Sequence, residues 1–77
     1  QFASEDLYVS WEQAVSAAEE RYQVVIDNYK SGRLHKHTRP QDEFFYFQGE
    51  LMDMFATAKQ NRIRLGNKAN ELFERYF

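Results

Sequence analysis

The sequence predicts a small all-α domain, a three-helix bundle, with a long antiparallel helical hairpin that dimerises into a four-helix bundle as the alternative. Three observations carry this. The 77 residues hold one Pro and three Gly, so there are few breaks. Two long stretches space their apolar residues three and four apart. Good helix formers fill the positions between. The length bounds the chain to one domain, taken as 1–77. A domain this short buries only ~60% of the surface its unfolded chain exposes. With no Cys, neither a disulfide nor a thiolate-held metal supports it. Aromatic packing and self-association remain as supports, and aromatics make up 17% of the chain.

The first seam runs through Tyr8, Trp11, Val15, Ala18, Tyr22, Val25 and Tyr29. That spacing suits a helix packed on its neighbours at a shallow angle. Ser4 before Glu5 and Asp6 offers an N-cap with acids facing the helix dipole. Ser10 with Gln13 offers a later start as a capping box. Lys30 and Gly32 supply the stop, so the helix is expected from about residue 5 or 11 to about 31. Residues 32–39 read as a loop. Pro40 suits a first helical position, with Asp42 and Glu43 in the opening turn.

From there a second seam runs through Phe44, Phe47 or Gln48, Leu51, Phe55, Ala58, Arg62, Leu65, Ala69, Leu72 and Tyr76. Gly66-Asn67 is a helix-ending pair, which favours a third helix over about 67–77. One unbroken helix of nearly forty residues is the competing reading. The expected core is Trp11, Val15, Ala18, Tyr22, Val25, Leu51, Phe55 and Leu72. Arg62 sits on the apolar seam and needs a carboxylate partner or an exit to water, so it is expected near the bundle's end, paired with Glu5, Asp6 or Glu12.

Charge falls in blocks. Residues 1–29 carry net −5, 30–39 net +4, 40–57 net −4, 58–70 net +4 and 71–77 net −1, which sum to −2. An antiparallel pairing of the first two helices sets the basic 58–70 stretch beside the acids of the amino-terminal turns.

No catalytic set is legible. Both histidines lie between bases in the loop, the serines sit at helix edges or on an exposed face, and adjacent carboxylates diverge by about 100° on a helix. The chain is expected not to be an enzyme and to need no cofactor. His35 and His37 supply too few ligands for a metal. Lys30, Arg33, His35, Lys36, His37 and Arg39 form a positive patch that could take phosphates, which makes nucleic-acid or acidic-surface binding the alternative function. No apolar run approaches the ~20 residues of a membrane span; the sequence leaves the compartment unassigned, with a soluble, cytoplasmic protein favoured.

Phe44-Phe45-Tyr46-Phe47 carries the most information. Four consecutive helical residues cover the whole circumference, so one seam cannot bury all four rings. Phe44, Phe45, Tyr46, Met52 and Phe77 are the expected partner-binding residues. The leading function is a non-enzymatic protein-interaction module, a small regulator, adaptor or inhibitor. It would self-associate or dock a protein partner through this aromatic face. The segment Glu43-Phe-Phe-Tyr46-Phe-Gln48-Gly49 resembles the cleavage sequence of potyviral nuclear-inclusion proteases, a likeness of seven residues that implies no activity for the chain itself.

Overall fold

The computed structural model describes residues 3–31 and 43–77. Among the described residues four helices make three rods: α1 (Glu5–Arg21) continues into α2 (Gln23–Lys30), followed by α3 (Glu43–Gln60) and α4 (Lys68–Tyr76). The helical stretch 5–30 and the third helix expected after Gly66 are both present, and the unbroken forty-residue helix is overturned. Loop 32–39 and the Pro40 start lie outside the described residues.

Ser4 holds the N-cap position of α1 in extended conformation, although its side chain makes no capping bond. The later start at Ser10 is therefore not used. At Tyr22 the backbone leaves the helical region (φ −107°, ψ 19°), so the expected single helix is bent into two. The hydrogen-bond ladder survives the bend, with Tyr22 N–H donating to Ala18 O at 3.1 Å and Ile26 N–H to Tyr22 O at 2.9 Å. Val24, Val25 and Ile26 follow after Gln23, three β-branched residues whose restricted χ1 lowers the helix propensity here. The bend turns Ile26 fully inward and leaves Val25 only half-buried.

The rods α1–α2 and α3 are antiparallel. Trp11 Nε1 donates to Met54 O at 2.8 Å, Arg21 pairs with Glu50 at 2.8 Å, and Tyr29 stacks on Phe44 at 4.1 Å. Ascending positions on the first rod thus meet descending positions on α3. Helix α4 runs back along α3, because Phe73 stacks on Phe55 at 4.8 Å while Tyr76 meets Phe47 at 4.8 Å. The core is Trp11, Val15, Ala18, Ile26, Phe44, Phe47, Leu51, Ala58, Leu72 and Tyr76. Tyr22, Val25 and Phe55, expected inside, are half-buried around it.

Arg62 is the clearest departure. Helix α3 stops at Gln60, not at Gly66. Arg62 adopts left-handed φ 56°, its N–H donates to Lys59 O at 3.2 Å, and Ile63 N–H donates to Ala58 O at 2.8 Å. This is a Schellman stop with Arg62 in the position usually held by Gly. Its side chain is exposed and forms no ion pair with Glu5, Asp6 or Glu12 among the described residues. A guanidinium that leaves the bundle at a helix corner needs no buried partner. Arg62 does sit at the expected end, since its carbonyl accepts from Ala3 N–H at 2.8 Å.

Candidate interaction surface

Helix α3 carries two stripes of three-and-four spacing, one residue out of phase. The inner stripe, Phe44, Phe47, Leu51, Phe55 and Ala58, faces the other rods. The outer stripe is Phe45, Gly49, Met52, Ala56 and Lys59, and every one of the five is exposed. Phe45 keeps 42% of its surface open and Met52 47%. Adjacent helical residues point about 100° apart, so the outer stripe cannot reach the core that the inner stripe fills.

The structure therefore divides the expected partner-binding set. Phe44 is withdrawn: Tyr29 stacks on it, Phe47 and Tyr76 meet it within 6.5 Å, and it has no exposed surface. Phe45, Tyr46, Met52 and Phe77 remain exposed. Tyr46 stands on the opposite flank from Met52, seven residues from Asp53 as Phe45 is seven from Met52. Its ring touches Phe45 edge-on at 6.4 Å.

Phe73 was missed in the sequence. It stacks on Phe55 with rings 7° from parallel and meets Phe77 at 5.1 Å. Phe55, Phe73 and Phe77 thus form a ladder of rings at the edge where α4 meets α3. The signal was the four-residue spacing of Phe73 and Phe77, one step off the Leu72–Tyr76 seam. Gly49, Ala56 and Lys59 were missed as well, because no large apolar residue marks them.

Polar groups tie the rods together beneath this edge. Tyr76 Oη donates to Glu19, and Arg75 Nη1 pairs with Glu19 at 3.2 Å. Burial pushes the Tyr76 phenol above its ordinary range, and the neighbouring Glu19 carboxylate pushes the same way. Tyr22 is raised by burial and by Glu50, and Tyr8 by burial and by Glu12. These phenols stay protonated as donors at neutral pH. On the far side of the α1–α3 pair lies a groove of about 430 Å³, lined by Leu7, Trp11, Ala14, Met54, Thr57 and Ile63 among others.

Among the described residues no cluster of three or more His, Cys, Asp or Glu could hold a metal ion. No helix there is long and apolar enough to cross a membrane. Of the alternative anion-binding set only Lys30 is described, exposed in the last turn of α2. Arg33, His35, Lys36, His37 and Arg39 lie outside the described residues. No protein-family model matches the chain, and neither does any curated protein or solved structure.

Proposed function

We propose that this chain is a non-enzymatic protein-interaction module that docks another protein through the outer stripe of α3 and the adjoining α3–α4 edge. One observation carries the reading: Phe45, Met52, Phe73 and Phe77 stay on the surface of a chain whose core is sealed without them. At about 200 Å² per large side chain, their exposed fractions come to roughly 350 Å² of apolar surface on one edge. An apolar patch of a few hundred Å² is the largest that a typical monomer exposes, and such a patch is often functional. Aromatic and methionine side chains are the types enriched at such contacts.

The test separates surface from core without needing a partner. Phe45→Ser combined with Met52→Ser should keep the helical circular dichroism and melt within a few degrees of the parent. It should also lose the parent's binding of an anilinonaphthalene sulfonate dye. A variant that unfolds, or that binds the dye as the parent does, would overturn the reading.

A further inference from the structure

Resting on that reading, we infer that the outer stripe of α3 is the seam of an antiparallel homodimer, in which α3 of one copy packs against α3 of a second. The positions 45, 49, 52, 56 and 59 repeat four, three, four, three, and all five are exposed. Such a seam suits another helix crossing at a shallow angle, because 3.5-residue spacing keeps one stripe facing one partner. The partner is therefore a helix.

The stripe is also complementary to itself. Met52 lies midway between Phe45 and Lys59, seven residues from each. A two-fold axis at Met52, perpendicular to the helices, sets Met52 against its own copy. It brings Lys59 of each chain over Phe45 of the other, where an ammonium meets a ring face. Gly49 and Ala56 lie between, and each copy sets one near the other. A Cβ built at Gly49 meets nothing within 4 Å, so the space a close helix needs is open. Every contact off the axis occurs twice, as an isologous interface requires. At a net charge of −2 per chain, mutual repulsion is small.

The area sets the strength. Helix α3 has 18 residues, so at 1.5 Å per residue and a helix width of ~10–12 Å its face covers roughly 300 Å² per copy, or about 600 Å² in all. That is below the area of a standard stable interface, so the dimer is a weak, transient one with a dissociation constant on the order of 100 μM or weaker.

Sedimentation equilibrium from about 1 μM to about 1 mM reads the association directly. The parent should pass from monomer to dimer within that range. Gly49→Gln should weaken the dimer at least about tenfold by filling the close approach, while circular dichroism shows its helix kept or strengthened. Met52→Cys, in a chain with no other cysteine, should oxidise to a covalent dimer. Val24→Cys, 74% exposed on α2, should not do so at the same concentration. A parent monomeric throughout, a Gly49→Gln variant that dimerises like the parent, or equal cross-linking of both cysteine variants would overturn the proposal. None of these results bears on the dye experiment, so the docking surface can survive the loss of this particular partner.

Discussion

The two stripes of α3 differ by one residue of phase and share a helix, a spacing and a taste for aromatics, yet they have opposite surroundings. Phe44 touches no solvent, and its neighbour Phe45 keeps 42% of its surface open. The inner stripe keeps large residues at nearly every step, Phe44, Phe47, Leu51 and Phe55, and reaches a small one only at Ala58. The outer stripe puts Gly49 and Ala56 between its large residues. A core filled from three rods needs volume at every level, whereas a surface awaiting one more helix needs room for a backbone to approach. The contrast shows that the period locates a stripe, while its sequence of sizes tells what the stripe is built to meet.

The largest expected effect tests the inner stripe. Phe47→Ala should cost about 3–5 kcal/mol, a large part of the ~5–15 kcal/mol that holds a native domain. Phe55→Ala, half-buried, should fall nearer about 2 kcal/mol, and Phe45→Ala below about 1 kcal/mol. Urea unfolding followed by circular dichroism ranks the three. If Phe45 cost as much as Phe47, the distinction between the stripes would be gone.

Next comes the polar tie that fixes α4 beside the inner stripe. Tyr76→Phe removes the donor to Glu19 and should cost about 1–2 kcal/mol at neutral pH. The pH dependence has a definite sign. Tyr76, Tyr22 and Tyr8 are all raised in the fold, so the unfolded chain gives up these protons first and stability falls as pH rises. Their contribution is complete below about pH 10 and is lost as pH climbs through the raised values. Alkaline titration of the melting temperature should show this fall, and Tyr76→Phe should make it shallower. An unchanged slope would mean that Tyr76 is not the buried donor described.

These differences explain what the sequence made legible. The rods and the existence of a break before α4 follow from spacing and from Gly66-Asn67, because both are local, although α3 ends earlier, at Gln60; the antiparallel order was legible only through the charge blocks. Most of the inner stripe is legible for the same reason. The bend at Tyr22 is not, since backbone hydrogen bonds continue through it and the apolar spacing passes over it unbroken. Arg62 falls on the period of the seam, and spacing alone cannot separate a core position from the left-handed residue of a helix stop. Phe73 depends on which helix lies beside it, a tertiary fact. The outer stripe hides because two of its five members are Gly and Ala and a third is Lys.

Arg62 gives a smaller effect in the stabilising direction. A non-glycine residue at φ 56° is strained. The exposed guanidinium makes no ion pair among the described residues that would be lost. Arg62→Gly should therefore stabilise the fold by about 1 kcal/mol and raise the melting temperature by roughly 4–8 °C. A lower melting temperature would mean that the Arg62 side chain contributes to the corner after all.

The smallest effect distinguishes backbone from packing on the open side of the molecule. Gly49 and Gly66 both have empty space where a Cβ would go, so packing predicts the same result for an alanine at either place. Their backbones differ. Gly49 lies inside α3, on the outer stripe, where glycine weakens the helix through the freedom it retains when unfolded. Gly66 sits at φ 58°, in the left-handed region that an L side chain resists. Gly49→Ala should therefore stabilise by about 0.5–1 kcal/mol, while Gly66→Ala should destabilise by about 1 kcal/mol. Melting each variant at a protein concentration too low for association removes any contribution from a second copy. If Gly49→Ala destabilised the monomer, something would already lie against the outer stripe. The division between a sealed inner face and an open outer one would then fail at its most exposed point.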